Sequence, residues 1–426
     1  MSKRSENVTG RATAAGCERS VDSAAASPPA GSLGQPAGYD GGVRHSILFA
    51  ALGTIVAALG TSVAITGCGG DESSGGTGGG SAGGAGGSGA AGGVGASGGN
   101  AGSGGTPSCT ADLSSDPGNC GACGTSCFGG TCTQGTCSPV ALSSSGTPKA
   151  IAVNESAVVW GDSDGKVSLR GLPQGTPKTL ATSNGYVSEL VLDAKNAYWT
   201  STNMISAYQV PLAGGPLVTL FDSGASPAGI AVTATDVYVS QNGWPGSIRK
   251  VPIGGGALSV VVAASWVPKL FIEGDTMFWI SYDYAKPETS AVTRMPLTGG
   301  APQNLVTGIG YVTGLALDAT YAYWVDGAGG TVSRVPKAGG SPTTLATGLQ
   351  SPQRVAVNGD EVFVTQQGSG TGPVGSVLRL PASGGTPTVL ATDQHHPTEI
   401  VATARGVFWI NEGDQGSGGA VMAMGK

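Results

Sequence analysis

One position recurs through the C-terminal two thirds of the chain and constrains the fold more than any other feature. Trp160, Trp199, Val239, Trp279, Trp324, Val364 and Trp409 fall 39 to 45 residues apart. A bulky residue precedes each: Val159, Tyr198, Tyr238, Phe278, Tyr323, Phe363 and Phe408. Upstream lies an apolar pair, one residue between its members: Ile151/Val153, Leu190/Leu192, Ile230/Val232, Leu270/Ile272, Leu315/Leu317, Val355/Val357 and Ile400/Ala402. That alternation is the period of two that a strand requires. In the clearest copy, Tyr311 to Gln350, two further markers follow: Ser333-Arg334-Val335-Pro336 with Gly339-Gly340, then Thr344-Leu345. Each period therefore holds four short strands. One such sheet cannot bury both faces, so it must stack on its neighbours. Seven copies predict an all-β fold over residues 139–426, a seven-bladed β-propeller of four-stranded blades.

The two ends of the repeat complement each other. Val140-Ala141-Leu142-Ser143-Ser144 has the pattern of a fourth strand, as in Thr344-Leu345-Ala346-Thr347, yet it precedes the first full copy. The seventh copy stops at its third strand, Val421-Met422-Ala423-Met424. The N-terminal strand is expected to complete the last blade, which leaves no open sheet edge. The aromatic-Trp pair followed by polar turn residues resembles the YWTD propellers, with Thr-Ser after Trp199 and Val-Asp after Trp324. The opening from Pro227 to Val232 resembles that of NHL-type propellers. Both resemblances imply a binding or scaffold domain and name no partner.

The remainder of the chain divides by composition. Residues 1–42 are polar and irregular, a disordered leader or sequence upstream of a true start at Val43. Residues 43–68 carry Arg44-His45, an apolar run from Ile47 to Ile65, and Ile65-Thr66-Gly67-Cys68. That order makes an export signal. Its end resembles a bacterial lipobox, which implies lipid attachment at Cys68; a plain membrane anchor is the alternative, since the run is long enough to span. Residues 69–106 are almost wholly Gly, Ser and Ala and predict a flexible tether.

Residues 107–138 hold Cys109, Cys120, Cys123, Cys127, Cys132 and Cys137. So short a module cannot bury enough surface without staples. After export an even Cys count predicts disulfides, here three with the pairing open. Zinc is the competing reading, because Cys120 and Cys123 have ligand spacing. Asp116 to Cys127 resembles the DPxNCGxCGxxC modules of myxobacterial surface proteins and lipoproteins, which implies an exported surface protein and no activity; with the lipobox resemblance at Cys68, the expected location is the cell envelope, lipid-anchored at the outer membrane or cell surface.

Charge is sparse: 21 Lys and Arg against 27 Asp and Glu, net −6. No basic patch exists to hold a phosphate backbone, so a nucleic-acid partner is not expected. The chain has three His, and only His395 and His396 fall in the repeat, without a catalytic motif around them. Asp162-Ser163-Asp164-Gly165 matches a fragment of a calcium loop but lacks its later ligands, so a plain turn is expected. The channel-side register Ala150, Glu189, Gly229, Leu270, Gly314, Arg354 and Glu399 offers two carboxylates, fewer than a hard cation requires. Arg354 and Glu399 hold the same register in neighbouring blades, which predicts an ion pair across the channel. No cofactor is expected.

Two function classes remain. The first is a non-catalytic envelope protein that binds a glycan or a protein ligand; the alternative is a metal-dependent, lactonase-like or other hydrolase propeller. Length variation sits in the loops between second and third strands, which blade geometry gathers on one face. The long loops of blades three, four, six and seven are expected to form the binding face, with Trp244, Tyr282 and Tyr284 as contacts. Trp266, Tyr311 and His396, from the connections between blades, join them as candidates. Exposed rings with amides beside them suit sugar or protein surfaces.

Overall fold

Trp324 shows why each copy folds as it does. It sits in the middle of a second strand, beside Leu315 on the first and Ser333 on the third. The markers that recur in the sequence are thus cross-strand neighbours, the unit from which a sheet gains stability. The computed structural model describes residues 110–426, apart from 145, 223, 244–245, 265, 283–285, 369–371 and 414–418. The export signal with Cys68, the tether, Cys109, Trp244 and Tyr284 lie outside the described residues.

The seven copies are seven four-stranded antiparallel sheets, the blades of a propeller. Blade one spans 148–182, blade two 189–221, blade three 226–263, blade four 270–307, blade five 312–346 and blade six 352–394. Blade seven takes three strands from 397–425 and its outermost from Val140–Ser143, with Val140 opposite Ala423 and Ala141 opposite Met422. The expected closure is therefore present. Between the third and fourth strands the chain turns on paired glycines. Gly339 and Gly340 have φ of 97° and 143°, where a side chain would be strained.

The core is divided among the seams between blades. Seven apolar clusters fill the seven seams. Val159, Leu190, Trp199 and Val210 fill that between blades one and two. The five repeated tryptophans are each at most 4 % exposed. Full burial of one large aliphatic or Phe side chain contributes about 1.5–3 kcal/mol.

The Cys-rich module contains the disulfides Cys120–Cys132 and Cys127–Cys137. Cys123 is exposed and unbonded among the described residues. The module packs against the propeller. Its four bonded cysteines share a core with Phe363, Val407, Trp409 and Met424 of blades six and seven. The Phe128 ring lies 5.1 Å from that of Phe408. Two glycines make room: a Cβ on Gly406 would stand 2.8 Å from the Phe128 ring, and one on Gly425 would stand 2.7 Å from Cys137 Sγ. These contacts lie at the end of blade seven that carries the turn between its first and second strands.

Candidate functional site at the long-loop rim and the channel

The connections between second and third strands are 163–165, 202–205, 243–246, 282–290, 327–330, 367–374 and 412–419. Blades four, six and seven carry the long ones, as expected. Blade three does not: its loop is no longer than those of blades two and five. Its extra residues lengthen the second strand to Asp236–Asn242, paired through Gln241 with Ser247. The spacing between sequence markers had counted strand as loop.

The structure brings three of the candidate aromatics together beside the blade-four loop. Tyr311 is 43 % exposed and Trp266 41 %. Tyr282 is buried, and its ring meets the Tyr311 ring edge-on at 5.5 Å and 82°. Its N–H donates to the Trp266 carbonyl at 3.0 Å. Tyr282 thus packs against the Tyr311 ring and is tied to the Trp266 backbone. His396 stands apart, at φ 50°. Its carbonyl accepts from the Glu412 N–H at 3.1 Å, and that of His395 accepts from the Gly413 N–H at 3.2 Å, so the pair pins the base of the blade-seven loop. The same face holds a polar cavity of about 610 Å³ at the channel mouth, lined among others by Tyr186, Ser188, Thr202, Gln353 and the Lys149–Glu412 ion pair at 3.0 Å.

A layer of charge crosses the channel below that mouth. Arg354 Nε donates to Glu399 Oε1 at 2.7 Å, which is the expected ion pair. The expected register needs one correction. Leu270 pairs with Trp279, just as Leu190 pairs with Trp199, so the residue equivalent to Glu189 is Lys269. Lys269 Nζ reaches Glu399 Oε2 at 2.9 Å and also contacts Glu189 Oε1. Ala150, Gly229 and Gly314 are the small residues of the register, and they leave space for four long side chains to cross. A Cβ on Gly314 would stand 2.9 Å from the Arg354 Cα. Burial raises the Glu189 carboxyl, with Lys269 as its one contacting cation. Burial also acts on Glu399, but Arg354 and Lys269 outweigh it and hold that carboxyl at about 2.

A second set of polar side chains, two positions after each Trp position, went unassigned by sequence reasoning. Asp326 accepts from the N–H groups of Tyr311, Ala328 and Gly329 at 3.2, 3.1 and 3.0 Å, and so holds the exposed Tyr311 in place. Gln366 accepts from the Gln350 N–H at 3.1 Å, and Asn411 donates to Gln394 at 2.9 Å. The signal was available: Asp162, Ser201, Gln241, Ser281, Asp326, Gln366 and Asn411 are all polar at one register. Asp162 is 1 % exposed, and burial pushes its carboxyl up to about 6. The segment 162–165 is the expected turn, with the Gly165 N–H on the Asp162 carbonyl at 3.2 Å. Among the described residues, the one group of three or more His, Cys, Asp or Glu close enough to share a metal is Cys120, Cys127 and Cys137, all in disulfides.

Fold and site together define a seven-bladed β-propeller with a disulfide-stapled module in front. No family model matches the chain, and no curated protein matches it. Among solved structures it is similar to a streptogramin B lyase at 15 % identity and a TM-score of 0.53, covering 67 % of this chain and 96 % of that one. It is also similar to the computationally designed Ika8 protein at 15 % identity and 0.49, covering 67 % and 98 %. A chain of a nidogen/laminin complex matches at 19 % identity and 0.46, covering 56 % and 92 %. At these identities the likeness concerns the fold alone.

Proposed function

We propose that this is a non-catalytic binding or scaffold protein of the cell envelope, anchored through a lipid on Cys68, of the kind found among myxobacterial surface lipoproteins. Its ligand site is the long-loop rim, and a glycan fits that rim better than a protein does. One observation carries the reading. The long loops, the exposed rings of Trp266 and Tyr311 and the polar mouth share one face, while the Cys-rich module packs at the other. Flat rings beside hydroxyl and amide groups suit a sugar, with rings covering its apolar face and polar groups its edges.

The test is a glycan and peptidoglycan array, with envelope proteins as a second arm. Any sugar ligand found should bind the Trp266→Ala, Tyr311→Ala and Trp244→Ala variants at least tenfold more weakly, about 1.4 kcal/mol, with thermal unfolding unchanged. Variants that lose stability at unchanged affinity would make these packing residues. A ligand found only in the protein arm would overturn the preference for glycans.

A further inference from the structure

The charge layer divides the channel into two unlike halves. The half on the long-loop side is the polar mouth described above. The other half, on the side of the Cys-rich module, is a cavity of about 680 Å³ walled by the first strands of all seven blades. Its wall has two registers. Ile151 and its six equivalents are buried in the seams, at most 7 % exposed, and the propeller core accounts for them. Two residues further along stand Val153, Leu192, Val232, Ile272, Leu317, Val357 and Ala402, all half-buried and open to the channel. Each also packs against the apolar cluster of its seam, yet keeps part of its surface on the cavity, so six branched aliphatics and one alanine present an apolar wall to an open channel. A channel filled only with water would be served by polar residues there, and a concave apolar wall with a few polar groups at its base describes a small-molecule site. The volume lies within the range of about 300–1,000 Å³ usual for such sites.

The floor specifies the other end of the ligand. Both Glu399 oxygens are engaged, one by Arg354 and one by Lys269. Glu189 uses Oε1 on Lys269, and its Oε2 has no hydrogen-bond partner among the described residues. Two of the three Lys269 donors are used. The Glu189–Lys269 pair therefore offers a spare acceptor on Glu189 and a spare donor on Lys269. With two carboxylates and two cations the floor carries no net charge. A charged head brought there would be desolvated without a counter-ion.

We infer that the module-side half of the channel binds a small neutral amphiphile, an aliphatic body in the ring with a hydroxyl or primary amide head on Glu189 and Lys269. This inference is independent of the rim reading, because it uses the opposite face and different residues.

Calorimetry of the full chain against 1-alkanols and primary alkanamides of six to ten carbons tests it, with octanoate and octylammonium as charged counterparts. Affinity should rise about fourfold for each methylene added, with a negative heat-capacity change. The two charged probes should bind at least tenfold more weakly than octanamide. Val232→Thr and Val357→Thr keep side-chain shape and should weaken octanamide several-fold each. Glu189→Gln should weaken octanamide while leaving the dependence on chain length. Absence of binding by every probe would overturn the site. Affinity independent of chain length, or unaltered in both threonine variants, would do the same. Charged probes binding as tightly as octanamide would overturn the assigned head.

Discussion

Glu399 ties the channel's charges together, since it alone touches both cations. Its carboxyl falls from an ordinary 4.5 to about 2 in the folded protein. A depressed carboxyl contributes stability that is fully present above its unfolded value and lost as pH falls through its folded one. The window is thus from about 4.5 down to about 2. Glu189 acts in the opposite sense. Its carboxyl is raised, so the cost of ionising it at neutral pH is relieved as pH falls. Glu399→Gln should cost about 3 kcal/mol at pH 7, because it leaves the buried Lys269 and the half-buried Arg354 with one carboxylate. Urea midpoints of variant and wild type should converge between pH 4.5 and 2. A gap that stays constant over that range would sink this account. Residue identity was legible in the sequence wherever the repeat fixed a register, which is why the Arg354–Glu399 pair was foreseeable. Lys269 was missed because the apolar marker beside it, Leu270, drew the register one place along.

At the scale of elements, the strands follow from alternation, and the Cys-rich module's packing does not. Its contacts join residues 120–137 to residues 363–425, across most of the propeller sequence, and no periodicity announces them. The only local traces are Gly406 and Gly425, each where a side chain would strike the module. The blade-three loop failed for a related reason: marker spacing cannot tell a longer strand from a longer loop. The packing gives the disulfides a second role, since they form part of the seam between blades six and seven. Replacing Cys127 and Cys137 by Ser should cost about 2–4 kcal/mol, and the loss should appear in unfolding of the propeller, followed by Trp fluorescence. A variant whose propeller unfolds at the wild-type temperature, with only the module loosened, would show that the two are energetically separate.

For the whole molecule, closure is the decisive feature, and it was legible because the two ends of the chain carry complementary parts of one blade. Removing residues 139–145 takes away the outer strand of blade seven, and several kcal/mol of stability should go with it. Thermal unfolding checks this, and an unchanged midpoint would mean that the ring holds without its fourth strand there. The candidate sites were less legible. The rim could be named from loop length and aromatic content, whereas the charged floor and the apolar ring exist only when seven first strands meet around one axis.

The shared blade also sets a constraint on timing. A ribosome makes Val140–Ser143 before any other strand of the propeller and Ala420–Gly425, its partner, after all the rest. Throughout synthesis the earliest strand waits unmatched, and every finished blade belongs to an arc with two open edges. A chain broken off before residue 420 keeps those edges for good and stays adhesive to other strands. Only a chain read through to its last strand can become inert, so the architecture proofreads its own length.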